Sequence, residues 1–143
     1  MIVYADTSAL FKLVVAESGS TEFRALRPSI SILATVRIAF VEMRAALAAA
    51  IRDHRIMADD VERARRLLGF VWSNVSAIDL DETLVGDSAD LAERFALRAY
   101  DAVHLAGLVR LGRPAEVTFA CWDRELRQPA GRLGYRMHPG VLD

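Results

Sequence analysis

Cysteine and lysine each occur only once in this chain of 143 residues, as Cys121 and Lys12. A lone cysteine excludes an internal disulfide and a zinc site built from several cysteines. The longest run without a charged residue spans 67–78, which is too short to cross a bilayer as a helix. The N-terminus leads directly into an apolar run that ends at Asp6, which is not the pattern of a signal peptide. We therefore expect a cytoplasmic protein that has no membrane partner.

A strong excess of charge is also missing, since the formal net charge is −1. This balance argues against a protein that binds polyanions over its whole surface. Arginine supplies nearly all of the positive charge, and its planar guanidinium suits phosphate and carboxylate partners. A biased genome composition would produce the same skew, and we favour that explanation. Hydrophobic residues make up 53% of the chain, which excludes disorder, and its length predicts one domain over residues 1–143.

The apolar pattern predicts strands that alternate with helices. Strands are predicted at 2–5, 30–33, 75–80, 117–121 and 135–138. Helices are predicted at 8–17, 20–26, 36–53, 59–72, 82–97 and 101–111, and a short one that Pro129 disturbs follows the fourth strand. This order is typical of an α/β fold, with a mainly parallel central sheet that right-handed crossovers build and helices flank.

Four acidic residues are placed where such a sheet would gather them at one edge. Asp6 follows the first strand and Asp123 follows the fourth, and ligands of parallel sheets bind beyond the carboxyl ends of strands. Asp101 opens a helix that reaches the same edge if it returns across the sheet. Glu42 lies about six residues into its helix, roughly 9 Å from the helix start. The sequence therefore predicts that these carboxylates converge.

Each aspartate also has a simpler interpretation, because an aspartate before a helix stabilises it as a cap by about 1 kcal/mol. For each of Asp6, Asp101 and Asp123 the cap and the ligand are equally favoured. Glu42 favours the interpretation as a functional site over the one as a set of helix caps. Its neighbours at three and four residues are alanines and an isoleucine, so no partner is available within the helix. A carboxylate buried there needs a partner or a proton.

Convergence of these acids has an electrostatic consequence. Two carboxylates roughly 4 Å apart repel each other by about 4 kcal/mol at an effective dielectric constant of about 20. Several such pairs would approach the stability of a whole domain, so the cluster must bind protons or cations. Carboxylate oxygens alone favour the hard ions Mg²⁺ and Mn²⁺ over zinc. The sequence therefore predicts a site for one of these ions.

Four segments in this order resemble the PIN-domain ribonucleases, and specifically the small VapC toxins of bacterial toxin–antitoxin pairs. They are residues 2–10 (IVYADTSAL), 41–42 (VE), 100–106 (YDAVHLA) and 122–126 (WDREL). The resemblance extends over essentially the whole chain. It implies a PIN-like three-layer sandwich and an endoribonuclease that cleaves tRNA, rRNA or mRNA with Mg²⁺ or Mn²⁺. It also implies a homodimer and inhibition by a cognate antitoxin protein.

The resemblance further implies roles for individual residues. Asp6, Glu42, Asp101 and Asp123 match the acidic quartet of the family, with Asp6 and Asp101 as the main metal ligands. Ser8 matches a small hydroxyl residue that supports the first acid. Cys121 departs from the pattern, because the family usually has threonine or serine there and a thiol is a weaker hydrogen-bond donor.

Other residues have two interpretations. His104 could act as a base near Asp101, but its apolar neighbours favour a core histidine. Arg124 and Arg127 could contact RNA phosphates, and a solvated helix face explains them equally well. For the whole protein, the alternatives are an RNA- or protein-binding module without catalysis and a housekeeping RNA-processing nuclease. An aspartyl-phosphate enzyme is disfavoured, because Ser8 stands where its second aspartate would be.

Overall fold

The computed structural model describes residues 1–142, so Asp143, the last residue of the predicted domain, lies outside the described part. Within residues 1–142, the strands are β1 (Ile2–Ala5), β2 (Ile32–Val36), β3 (Ser76–Ile78), β4 (Val117–Ala120) and β5 (Arg136–His138). They form one sheet in the order β3-β2-β1-β4-β5, and each neighbouring pair is parallel. The sheet therefore extends from β1 through β2 to β3 on one side, and β4 and β5 are added on the other side of β1.

The helices connect these strands and cover both faces of the sheet. They are α1 (Thr7–Val14), α2 (Ser20–Leu26), α3 (Ala39–Arg52), α4 (Val61–Ser73), α5 (Glu82–Phe95), α6 (Ala99–Leu111) and α7 (Arg124–Arg132). Of the helices in residues 1–142, none combines the length and the apolar character that crossing a membrane requires.

Side chains alternate between the two faces of β1, which separates the core into two layers. Val3 and Ala5 pack with α1, α3 and α4, whereas Tyr4 packs with α5, α6 and α7. This arrangement confirms the predicted α/β class with a parallel central sheet between layers of helices.

Several predicted boundaries were wrong by two or three residues. The second strand runs over Ile32–Val36 rather than 30–33, because residues 34–36 pair with Ser76–Ile78 of β3. The helix that follows therefore begins at Ala39 rather than at residue 36. The helix predicted from residue 101 begins at Ala99, which places Asp101 inside its first turn. Asp101 is therefore not a helix cap.

Candidate active site

The order of the strands reverses between β1 and β4, which is the point where parallel sheets bind ligands. Asp6 directly follows β1, and its backbone N–H donates to the carbonyl of Ala120 at the end of β4. Asp123 comes three residues after that carbonyl and caps α7. Two of the four predicted acids therefore lie at the carboxyl ends of adjacent strands.

Asp6 is almost fully buried, with 4% of its surface exposed. Its carboxylate caps α1 by accepting from the backbone N–H of Ala9 at 2.9 Å, and Ser8 Oγ lies 2.7 and 2.9 Å from its two oxygens. Burial raises the pKa of Asp6, and the charge of His104 and hydrogen bonds from Cys121, Ser8 and Ala9 partly offset this effect. A cation nearby would favour the ionised form of such a group.

Cys121 touches the first acid rather than the side chain of the last. Its Sγ donates to Asp6 Oδ2 at 3.1 Å and accepts from the backbone N–H of Asp123 at 3.3 Å. Burial, with the charge of Asp6 second, raises the pKa of this thiol well above its usual range. The sulfur therefore stays protonated at neutral pH and acts as a hydrogen-bond donor rather than as a thiolate ligand.

Glu42 has partners that come from distant parts of the chain. It lies in the first turn of α3, and its Oε2 accepts from Thr7 Oγ1 at 2.6 Å and from His104 Nε2 at 2.8 Å. The other ring nitrogen of His104 lies 3.1 Å from the hydroxyl of Tyr4. Burial by itself would raise the pKa of Glu42, but the hydrogen bond and charge of His104 and the Thr7 hydrogen bond lower it overall. Glu42 is therefore a carboxylate at neutral pH.

The remaining two acids share an arginine. Arg98 Nε lies 3.0 Å from Asp101 Oδ2, and its Nη2 lies 3.8 Å from Asp123 Oδ2 and 3.3 Å from Glu125 Oε2. The side chain of Asp101 is 15% exposed, that of Asp123 is 34% exposed and that of Arg98 is 71% exposed. A positive charge therefore lies between Asp101 and Asp123 at the mouth of the site.

Contacts through Cys121 and Arg98 link three of the four acids, whereas Glu42 is held separately by Thr7 and His104. Among residues 1–142, no three His, Cys, Asp or Glu side chains are placed so that together they could hold a metal ion. Cys121 joins Asp6 to Asp123, and Arg98 joins Asp123 to Asp101. The predicted metal site formed by all four acids therefore stays a prediction.

The chemistry of the donors fits a hard divalent cation. Asp6 is a buried carboxylate whose three donors, Ser8, Ala9 and Cys121, are neutral groups. The pair of Asp101 and Asp123 already holds a positive charge, that of Arg98. Oxygen donors of this kind suit Mg²⁺ and Mn²⁺.

The two arginines predicted to bind RNA lie in different surroundings. Arg127 donates to the backbone carbonyls of Cys121 at 2.8 Å and Pro139 at 2.7 Å, so it ties the loop after β4 to the C-terminal segment. Arg124 is exposed and lines a cavity of about 350 Å³ beside Trp122. RNA binding by either residue stays a prediction.

Sequence reasoning missed Arg98, Thr7 and the contact between His104 and Glu42. Arg98 precedes Asp101 by three residues, and this helical spacing was the available signal. His104 is a buried residue, as its neighbours indicated, but its contact with Glu42 joins positions 62 residues apart. No local pattern in the sequence could have found that contact.

The fold has a counterpart among solved structures. The crystal structure of PAE2754 from Pyrobaculum aerophilum aligns with 96% of this chain and 83% of its own, with a TM-score of 0.67 and 21% sequence identity. No family model matches the chain. The solved structure therefore shares the fold of this chain, a parallel sheet between layers of helices, which confirms the predicted architecture.

Curated relatives cover nearly the whole chain. Ribonuclease VapC45 of Mycobacterium tuberculosis (strain CDC 1551 / Oshkosh) and ribonuclease VapC49 of M. tuberculosis (strain ATCC 25618 / H37Rv) are each 38% identical to it over 142 residues, which is 99% of this chain and 98% of theirs. Ribonuclease VapC47 of M. tuberculosis (strain CDC 1551 / Oshkosh) is 30% identical over 147 residues, 99% of both chains. The chain belongs to the VapC family of PIN-domain proteins.

Proposed function

We propose that this chain is a divalent-metal-dependent endoribonuclease and the toxic component of a toxin–antitoxin pair. The observation that carries the proposal is the buried carboxylate of Asp6 at the switch point of the sheet. Asp123 and Asp101 are linked to it through Cys121 and Arg98. The relatives that are 38% identical over almost the full chain are named ribonucleases, which supports RNA as the substrate.

Asp6, Glu42, Asp101 and Asp123 would hold Mg²⁺ or Mn²⁺ only after their side chains move closer together than they lie in this structure. A bound ion of this kind activates water and neutralises charge on a phosphodiester. Ser8 and Ala9 orient the carboxylate of Asp6. Thr7 and His104 both contact Oε2 of Glu42, which leaves Oε1 to accept a proton from the attacking water or to bind the ion. The lowered pKa of Glu42 keeps this oxygen unprotonated at neutral pH.

The test is cleavage of labelled RNA by the purified protein with Mn²⁺ or Mg²⁺, and again after EDTA is added. Asp6→Asn and Asp101→Asn are expected to reduce cleavage by about a hundredfold or more, because each removes a charged oxygen donor. Asp90→Asn, on the exposed face of α5, is the matched control and should cleave like the parent. Cleavage that survives EDTA, or equal rates in all variants, would contradict the proposal.

An apolar groove supports the antitoxin part of the proposal. Residues of α1, α2 and α4 line a cavity of about 720 Å³, in which Phe70 is 67% exposed and Met57 is 69% exposed. Exposed apolar side chains in one concave surface are typical of a protein-binding site. Arginines on the lining favour an acidic partner segment, and they are Arg24, Arg27, Arg55 and Arg63. We assign this groove to the antitoxin.

The homodimer and the cytoplasmic location are further parts of the proposal. Light scattering of the purified protein checks the first, because a dimer has twice the 15.8 kDa mass of the chain. A particle of single-chain mass at micromolar concentration would contradict it.

A further inference from the structure

Arg98 and a bound metal ion would need the same oxygen atoms. Asp123 uses Oδ1 to cap α7, where it accepts from the backbone N–H groups of Glu125 at 2.8 Å and Leu126 at 3.4 Å. Its other oxygen, Oδ2, lies 3.8 Å from Nη2 of Arg98, and the same nitrogen lies 3.3 Å from Glu125 Oε2. Asp101 also turns its Oδ2 towards Arg98, at 3.0 Å. One oxygen of each acid, Oδ2, therefore faces the guanidinium, where a cation between the two residues would also bind.

The side chain of Arg98 lies where an ion could displace it from the acids at little cost to the stability of the fold. Its side chain is 71% exposed, and exposed ion pairs contribute little to the stability of a fold. Arg98 lies just before α6, and its backbone carbonyl accepts a hydrogen bond from the Ala102 N–H of that helix at 3.0 Å. This bond does not involve the side chain of Arg98. The side chain can therefore leave the acids without disturbing the helix.

We propose that Arg98 is a built-in competitor of the divalent cation, holding Asp101 and Asp123 through their Oδ2 atoms until an ion displaces it. This inference rests on the proposed function. Without the ion, Arg98 would supply the positive charge beside Asp101 and Asp123. The ion then binds with lower apparent affinity, because only molecules whose arginine has moved away can accept it.

The experiment measures Mn²⁺ binding to the full chain by isothermal titration calorimetry, in the parent and in Arg98→Gln. Removal of the competitor is expected to lower the apparent Kd by about three- to tenfold. Without metal the variant should melt close to the parent, and with saturating Mn²⁺ its melting temperature should increase more than that of the parent. Neither readout requires the protein to cleave RNA.

Two controls separate competition from simpler effects. Arg132→Gln removes a positive charge from the cavity that Asp101 also lines, so it measures the general effect of lost charge on Mn²⁺ affinity. Arg113→Gln breaks an exposed ion pair of the same three-residue spacing, with Glu116, and measures the cost of losing such a pair. A gain in affinity for Arg98→Gln that clearly exceeds that of both controls supports the inference.

The possible failures are distinguishable. If the parent binds Mn²⁺ and Arg98→Gln binds it with the same or a weaker affinity, competition is wrong while the metal-dependent function stands. An equal gain in Arg98→Gln and Arg132→Gln also overturns competition, because general electrostatics would explain both. If the parent binds no Mn²⁺ or Mg²⁺ and cleaves no RNA, the proposed function itself fails.

Discussion

Asp6 has two effects of opposite sign on the stability of the fold. As the cap of α1 it stabilises the fold, but its burial disfavours the charge that a metal site requires. The charge of His104 and the neutral donors lessen this cost without removing it, and a bound cation would do so more completely. At the scale of single residues, a site for metal is therefore expected to be a source of instability in the metal-free protein.

Asp6→Asn is expected to raise the melting temperature of the metal-free protein at pH 7.5 by a few degrees, or about 3 °C for each kcal/mol regained. Asparagine keeps an oxygen for the Ala9 N–H and carries no charge to bury. The pKa of Asp6 is raised by folding, so the parent loses stability as the pH rises through that pKa. Below about pH 3.9 the two proteins should melt alike, because the parent is then protonated in both states. Thermal melts over a pH series check this, and a lower melting temperature at pH 7.5 would contradict it.

His104→Gln tests the network that holds Glu42. The variant loses the charge and the ring that outweigh the effect of burial, so the pKa of Glu42 should rise. The acid side of the pH–rate profile of RNA cleavage is expected to move to higher pH. Because the pKa of Glu42 is lowered by folding, its contribution to stability is present above about pH 4.3 and is lost as the pH falls through its folded pKa. The loss of stability in the variant should therefore be larger at pH 7 than at pH 3.

Thr7→Val is the graded control for this prediction, since it removes one neutral hydrogen bond to the same oxygen. Its profile should shift less than that of His104→Gln. An unchanged acid limb in both variants would show that Glu42 does not titrate in the reaction.

At the scale of elements, the close approach of α6 to the sheet determines the geometry of the site. A Cβ atom on Gly107 would lie 2.7 Å from the hydroxyl oxygen of Tyr4 and would also collide with Val36. The same hydroxyl contacts His104, which contacts Glu42. The glycine therefore lets α6 bring His104 within reach of α3.

Gly107→Ala is expected to destabilise the protein by about 1–3 kcal/mol, because it overpacks a dense core. Gly86→Ala is the matched control in α5, where nothing apart from the backbone of its own helix and its chain neighbours lies within 4 Å of the added Cβ atom. The control should gain about 0.5–1 kcal/mol from the higher helix propensity of alanine. Urea unfolding of both variants measures the difference, and equal stabilities would rule out the close approach.

At the scale of the whole molecule, the acidic edge and the apolar groove are built from different parts of the fold. The acids lie beyond β1 and β4, whereas α1, α2 and α4 line the groove with Phe70 and Met57. Helix α1 contributes to both the acidic edge and the groove. Asp6 caps its N-terminus, and Leu13 near its C-terminus lines the groove. A partner in the groove would therefore contact the helix that begins at the site.

Phe70→Asp is expected to weaken binding of the antitoxin by at least about tenfold, because it places a charge where apolar contact is needed. The probe is the purified protein encoded by the reading frame adjacent to this one, measured by calorimetry. RNA cleavage by the variant should match the parent, since Phe70 lines the groove and none of the four acids does. Val85→Asp, at an exposed position of α5, is the control. Equal affinity in all three proteins would contradict the assignment of the groove.

The parts of the fold that depend on local patterns could be predicted from the sequence. Apolar runs and the breaks between them located the strands and helices. The alternation of strands with helices predicted a parallel sheet. Boundaries such as Ile32–Val36 could not be predicted, because pairing with β3 rather than propensity decides where β2 ends. Propensity describes a segment alone, whereas a strand ends where its neighbour stops offering hydrogen bonds.

By itself, the sequence determined the α/β class, the position of Asp6 and Asp123 after strands, and the oddity of Glu42 in a row of alanines. These features depend on residues that are close together in the chain. Only the tertiary structure decided which groups meet: His104 and Thr7 at Glu42, Cys121 at Asp6, and Arg98 between Asp101 and Asp123. The physical reason is that hydrogen bonds and charge pairs act over a few ångströms of space, which separation along the chain does not report.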